Sequence, residues 1–315
     1  MVAFTFIAAY LFNTADSTLN CSWITGHPTN QSILYATNEL TSGALQSFDI
    51  IQGSTLSDAV DTVHSGDADP AFAVALSTGE VAIMNYSTGN GRIIPTTNSP
   101  EEFGDDAPVI TFPPPVGGVS HPHMALQHEK EIFRCRESGA YSITGQIPQP
   151  TGSGPRHIRI SNGRLYTLHE LASTLTVQPI PSSPNGTSTI ISTASIIPAP
   201  TAVWAAAEIL IPPPSKRFGE YIYVSNRNTG IAIFENLDQG TPRERLQLVR
   251  QVFTGLDQIR GMEFGGEDNE YLIAGGVAGN AGVVIYKRVD GGRNLVEVVR
   301  NTEVPTRTSF VWKEL

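Results

Sequence analysis

Arg156, His157 and Glu170 lie close together in one stretch, G-P-R-H-I-R-I-S-N-G-R-L-Y-T-L-H-E, which runs from Gly154 to Glu170. A carboxylate or an imidazole can take a proton from water, and a guanidinium can hold a developing oxyanion or grip a substrate carboxylate or phosphate. The spacing says how the chain presents them. Apolar and polar residues alternate through H-I-R-I, Asn162–Gly163 follows, and a second alternating run begins at Arg164. Asn-Gly between alternating runs predicts a two-residue hairpin turn, because both residues tolerate positive φ. Arg156 and His157 then stand at the entrance of one strand and Glu170 just past the end of its partner. Alternation turns His169 away from Glu170.

Four other residues could join them. His121 and His123 fall in H-P-H-M-A, Arg227 in the polar break S-N-R-N, and Arg260 in Q-I-R-G-M-E-F. Each candidate also has a plainer structural role: a loop anchor for Arg156, a hydrogen-bonded loop histidine for His123, a solvated carboxylate for Glu170, a surface loop for Arg227. Other chemistries lack their residues. There is no G-x-S-x-G nucleophile, and Gly275–Gly282 is Gly-rich without the Lys-Ser/Thr of a phosphate loop. Glu101–Glu102 with Asp105–Asp106 reads as a solvated acidic loop. Cys21 and Cys135 fit neither a disulfide framework nor a metal motif. Chemistry without a cofactor or metal is expected.

The elements that must position these residues repeat along the chain. A β-rich run, a polar or small break and a second β-rich run recur at Ser32–Ile50, Ala71–Tyr86, Glu131–Ile147, Arg164–Ile180, Tyr221–Leu237 and Tyr271–Val289. Thr5–Asn13 looks like the second half of a seventh copy. Seven copies in 315 residues give a period of roughly 45, that of propeller blades. The best helical candidate, Ala202–Leu210, is short and followed by Pro212-Pro213-Pro214. The expected fold is an all-β, seven-bladed β-propeller in one domain, 1–315. The first blade lacks an obvious strand before Thr5–Asn13, so Thr308–Lys313 is expected to complete it and close the ring.

Composition agrees. Charged residues are few (16%), while Gly (29) and Pro (22) are plentiful, as many short strands and turns require. The net charge of −10 argues against nucleic acid as a partner. No apolar run approaches the roughly 18 residues of a membrane span. The apolar start, Met1–Phe12, has no basic residue ahead of it and reads as a strand, which points to the cytoplasm. Sequons at Asn20, Asn30, Asn85 and Asn185 would instead suit a secreted chain. Nothing in the pattern suggests an oligomer, so a monomer is expected.

The pieces H-P-H-M-A (His121–Ala125), G-P-R-H (Gly154–His157), Y-T-L-H-E-L-A-S-T-L-T-V (Tyr166–Val177), Y-V-S-N-R-N (Tyr223–Asn228) and Q-I-R-G-M-E-F (Gln258–Phe264) together resemble one family. It is the seven-bladed lactonase family, which includes propeller-type 6-phosphogluconolactonases and fungal 3-carboxy-cis,cis-muconate cyclases. The resemblance covers about the last two thirds of the chain. The first third departs from it, since the Gly-rich first strand is absent before Phe6. The resemblance implies a site at the mouth of a central channel, with His123, Arg156, Glu170 and Arg227 carrying the chemistry and His121, His157 and Arg260 as further substrate-binding members. It implies a small anionic lactone or dicarboxylate as substrate. Ring opening of a lactone is the expected reaction. Lactone-forming cycloisomerisation of a muconate, or a propeller that only binds its ligand, are the alternatives.

Overall fold

The computed structural model describes residues 5–10, 20–51, 55–114, 118–128, 141, 143, 145–181, 187–198, 204–278, 282–303 and 307–313. Among these residues the regular structure is antiparallel β-strand, apart from two short 3-10 turns, Glu267–Asn269 and Asp290–Gly292. The described residues fall into two compact units, Met1–Thr144 with Ser309–Leu315, and Gly145–Thr308.

The first unit holds two antiparallel meanders. One runs Cys21–Gly26, Ile33–Asn38, Ala44–Ile51, Asp61–His64, with Thr55–Leu56 paired to the end of its third strand. The other runs Pro70–Ala75, Val81–Asn85, Asn90–Ile94, Ile110–Thr111. Ile33, Tyr35, Leu45 and Val63 of the first share a buried core with Ala73, Val81, Ile83 and Ile94 of the second. In a third sheet, Thr5–Tyr10 pairs with the C-terminal strand Arg307–Lys313, which belongs to this unit from Ser309 on and is the expected closure. Ser309 Oγ accepts from Ile24 N–H at 3.4 Å and donates to the Ile24 carbonyl at 3.3 Å. Lys313 Nζ donates to the Ile33 carbonyl at 3.4 Å, and Phe310 is buried.

The second unit begins with the meander Pro155–Ser161, Arg164–His169, Thr174–Pro179, Ser192–Ser195. Asn162 and Gly163 make its first turn with φ of 47° and 70°, the geometry the Asn-Gly pair predicts. Seven further strands follow on one hydrogen-bonded path: Ala206–Leu210, Ile222–Asn226, Asn228–Leu237, Arg245–Gly265, Tyr271–Ala278, Gly282–Val289 and Asn294–Asn301. The 21-residue strand Arg245–Gly265 serves two meanders. Its first part pairs with Asn228–Leu237 and its last with Tyr271–Ala278, and Asp257 pairs with both. Positive φ at Gly255 and Gln258 marks the change of direction.

Packing of sheet on sheet explains runs that are apolar throughout. Ile222, Val224, Ala232 and Phe234 enter one core, while their neighbours Tyr223, Ile231 and Ile233 enter the next. Both faces of these strands are buried, so the sequence does not alternate. Three of the predicted β-pairs are the second and third strands of their sheets, Tyr271–Val289 is the fifth and sixth of the seven-stranded path, and Ala71–Tyr86 is the first and second of its sheet. The described part of the helical candidate Ala202–Leu210 is a strand, Ala206–Leu210, buried along its length. Burial between two sheets overrides the helix preference of Ala and Leu there. The predicted pair Glu131–Ile147 lies mostly outside the described residues, as do Cys135 and Asn185.

Removing Arg307–Leu315 strips Thr5–Tyr10 of its paired strand and takes away buried Phe310. Loss of one buried Phe costs about 3–5 kcal/mol, so calorimetry should show Tm lowered by at least about 5 °C. An unchanged Tm would contradict the closure.

Candidate active site

Two positions recur among the described meanders, one in five of them and the other in four, and Arg156, Arg260, Glu170 and Arg227 occupy them. The first is a β-bulge at the entrance of the first strand. Register shifts fall between Cys21 and Ile24, Pro70 and Phe72, Pro155 and His157, Ala206 and Ile209, and Ile259 and Gly261. A bulge adds an unpaired residue and re-aims its side chain. Arg156 and Arg260 are the added residues of their strands, and Ala207–Glu208 lie in another bulge.

The second position follows the second strand. It holds Glu39, Tyr86, Glu170 and Arg227, and each donates its backbone N–H to the carbonyl just before the first strand of its own sheet: Asn20, Asp69, Gly154 and Ala205, at 2.7–3.0 Å. Glu170 and Arg227 are also tied to the following sheet. The Glu170 carbonyl accepts from Ala206 N–H at 3.2 Å, and the Arg227 carbonyl from Gln258 N–H at 2.6 Å. Gly154 is required locally. Its φ is +64°, and a Cβ there would lie 2.6 Å from Leu171 Cγ.

These backbones bring Arg156, Glu170 and Arg227 together. Arg156 Nη1 donates to Glu170 Oε2 at 2.9 Å, and Arg227 Nη2 donates to Glu170 Oε1. Arg156 Nε donates to the Ala207 carbonyl at 3.0 Å. Exposure is graded: the side chain of Arg156 is 4% exposed, Glu170 16% and Arg227 27%. Burial lowers the Arg156 pKa to about 10, with Arg260 and Arg227 adding to the effect and Glu170 opposing it. Arg156 is still a cation at neutral pH. Two guanidiniums therefore grip one carboxylate, and a third, that of Arg260, is close enough to act on Arg156.

His157 is adjacent but differently engaged. It is fully buried, and its Nδ1 lies 2.9 Å from Glu208 Oε1. Burial, then Arg156 and Arg159, push its pKa well below 6.5. Burial raises the Glu208 pKa to about 7 and does the same for Glu263. Sequence reasoning missed Glu208, Glu263 and Arg159. The available signal was an acidic residue inside an apolar run, A-A-E-I-L and G-M-E-F-G. His169 does face away from Glu170. It is fully buried, with Nδ1 2.9 Å from Ser153 Oγ and Nε2 2.9 Å from Thr176 Oγ1.

His121 and His123 belong to the first unit, where they flank Tyr86. The His121 ring stacks on Tyr86 with centroids 4.6 Å apart, and its Nδ1 donates to the Tyr86 carbonyl at 2.8 Å. His123, buried, meets the same ring edge-on at 5.6 Å.

A family model described as lactonase, 7-bladed beta-propeller, matches residues 10–312. The chain belongs to this family. The seven-bladed architecture expected from the repeat is thereby that of the molecule, and its meanders are blades. A protein from Lactobacillus plantarum shares the fold with a TM-score of 0.79, at 19% identity over 98% of both chains. A putative 6-phosphogluconolactonase from Bacteroides fragilis aligns with a TM-score of 0.73 and 19% identity, over 96% of this chain and 89% of its own. The periplasmic gluconolactonase of Pseudomonas aeruginosa gives 0.75 and 17%, over 94% and 88%. No curated protein matches the chain.

The last residue of the second strand is Asn38, Asn85 or Asn226 in other blades and His169 here. Burial lowers the His169 pKa to about 4. The unfolded chain therefore binds the extra proton between pH 6.5 and 4, and stability is lost as pH falls through that window, by about 3 kcal/mol. His169→Asn supplies the residue used in the other blades and removes this loss. Denaturant titrations from pH 7 to 4 should show the wild type losing stability relative to the variant. Opposing contributions from Glu208 and Glu263 are present in both proteins and cancel. Parallel pH profiles would refute the assignment.

Proposed function

We propose that this chain hydrolyses a small anionic or sugar-acid lactone at the Arg156–Glu170–Arg227 cluster. One observation carries the reading: Glu170 is held by one guanidinium at each oxygen, with Arg260 near enough to act on Arg156. Two cations on one carboxylate and a third acting on Arg156, in a chain of net charge −10, favour an anionic substrate over a neutral or cationic one.

The chemistry follows from the exposures. Arg227 is the more exposed partner of Glu170 and is the one a substrate carboxylate or phosphate reaches. Its guanidinium then turns from Glu170 to the substrate and frees one Glu170 oxygen. That oxygen takes a proton from water as the water adds to the lactone carbonyl. Arg156, buried and anchored on the Ala207 carbonyl, faces the oxyanion that forms. The ring C–O bond then breaks, and the departing alkoxide recovers the proton from Glu170. Family membership supports a lactonase, and the names of the Bacteroides and Pseudomonas proteins support a gluconolactone-type substrate. The same acid/base group and arginines would also serve a lactone-forming cyclisation of 3-carboxymuconate, which the assay distinguishes.

Hydrolysis of glucono-1,5-lactone and 6-phosphogluconolactone should be measurable, with no conversion of 3-carboxymuconate. Glu170→Gln cannot take a proton and should lower kcat by about 10²–10⁴-fold with little change in KM. Arg156→Ala should lower kcat, because it removes the oxyanion donor, and raise KM, because it removes one of the cations whose charge draws the anion in. Arg156→Lys keeps the charge but not the forked geometry, so it should recover only part of the activity. Full activity of both Glu170→Gln and Arg156→Ala would remove the site, and turnover of the muconate alone would replace hydrolysis by cyclisation.

A further inference from the structure

The bulge that carries Arg156 is fastened to the bulge of the next blade at two points. Arg156 Nε donates to the Ala207 carbonyl at 3.0 Å, and the next residue, His157, places Nδ1 2.9 Å from Glu208 Oε1. Ala207 and Glu208 are the two residues of the facing bulge. Both ends of the second contact are built in. Glu208 Oε1 accepts from Ile209 N–H at 3.0 Å, and Glu208 N–H donates to Ser225 Oγ at 3.0 Å. His157 is 0% exposed and Glu208 2%. Arg159 Nη2 stands 3.8 Å from the same Glu208 oxygen, and Glu263 is close enough to feel the Glu208 charge. A polar pair withdrawn from water this fully costs stability unless its geometry is fixed. A bulge is the part of a strand with fewest ladder hydrogen bonds, so it is where a side chain needs outside support.

We propose that His157 and Glu208 are positioning residues that lock two adjoining bulges together and thereby hold the Arg156 guanidinium against Glu170. The inference rests on Arg156 being part of the site, but its geometry can be tested without any substrate. The Arg156 Nε–H proton, buried on the Ala207 carbonyl, reports the lock directly. Its solvent exchange is measured by ¹⁵N-resolved NMR on the full-length protein, with Arg156→Lys to assign the signal. Arg164 Nε–H, in the blade of Arg156 and 2.8 Å from Glu244 Oε1, and Arg288 Nε–H, 3.0 Å from Tyr223 Oη, serve as internal controls.

Glu208→Leu fills the space without a hydrogen bond and should speed exchange at Arg156 by at least about tenfold, with Arg164 and Arg288 unchanged. Glu208→Gln keeps an acceptor for Ile209 and a partner for His157, and should hold exchange within about threefold of the wild type. His157→Leu breaks the pair from the other side and gives the same reading if Glu208→Leu does not fold. Unchanged Arg156 exchange in both leucine variants overturns the proposal. Equal acceleration at all three arginines also overturns it, since that is general loosening. An inactive wild type would instead count against the lactonase reading and leave these exchange rates interpretable. Where activity is present, Arg156→Ala combined with His157→Leu should be no worse than Arg156→Ala alone, because residues acting through one guanidinium are not additive.

Discussion

Within the second unit the candidate site depends on a backbone joint between neighbouring blades. Glu170 gives its N–H to Gly154 of its own blade and takes an N–H from Ala206 of the next; Arg227 does the same with Ala205 and Gln258. Each residue thus closes a hydrogen bond in two sheets at once. The joint holds a loop position as firmly as a strand position, which is what a charged site needs. It also explains the small residues around it. Gly154 must adopt positive φ and leave room for Leu171, and Ala205, Ala206 and Ala207 meet Arg227, Glu170 and Arg156 through their backbones.

The electrostatics have to be read against that rigidity. Withdrawing Arg156 from water is unfavourable, and its lowered pKa expresses the cost. The Glu170 carboxylate offsets part of it, and the Ala207 carbonyl satisfies Nε. Truncating either partner would leave a buried charge unpaired, which is why the variants argued for keep shape or charge where they can. Arg288 shows the contrast. It is buried at 1% exposure, yet it rests over the Phe218 ring at 4.3 Å and donates to Tyr223 and to backbone carbonyls. With the aromatic face and those carbonyls as its surroundings, Arg288 reads as a packing element. Arg156, between a carboxylate and other cations, reads as part of a site.

Much of this was legible in the sequence. The Asn162–Gly163 turn, the paired β-runs and the C-terminal strand all follow from alternation, turn chemistry and repeat length, which are local properties. Arg156 and Glu170 were legible as candidates because the Asn162–Gly163 hairpin brings them to its open end, and Arg227 because it stands in a polar break within a motif that resembles the family's. The bulges were not legible. A bulge changes which face a side chain takes without changing the alternation around it, so nothing in R-H-I-R-I says that Arg156 is the added residue. Glu208 and Glu263 were missed for a related reason: between two packed sheets an apolar run is expected on both faces, and one acidic residue within it looks like an interruption. Ala202–Leu210 was the best helical candidate by its Ala content, and its described strand shows that propensity is weak beside burial on two sides.

The repeat also shows where function enters a fold that is otherwise uniform. The slot after the second strand makes the same backbone bond in four blades, yet it holds Glu39, Tyr86, Glu170 and Arg227. The backbone neither selects nor needs a particular side chain there, so residue type at that slot is free to be set by chemistry. The slot just before it is different. Asn38, Asn85 and Asn226 turn their amides to nearby backbone or side-chain groups, and His169 does so with its imidazole, so that position is tied to the turn itself. Two adjacent residues thus divide the work: one polar side chain is buried to hold the blade end, and the next is left partly open, aimed by a joint that does not depend on what it is. A carboxylate in one such slot and a guanidinium in the following one are brought to hydrogen-bonding distance by the blade-to-blade step alone. The bulged Arg156 then supplies the second cation from the same blade as the carboxylate.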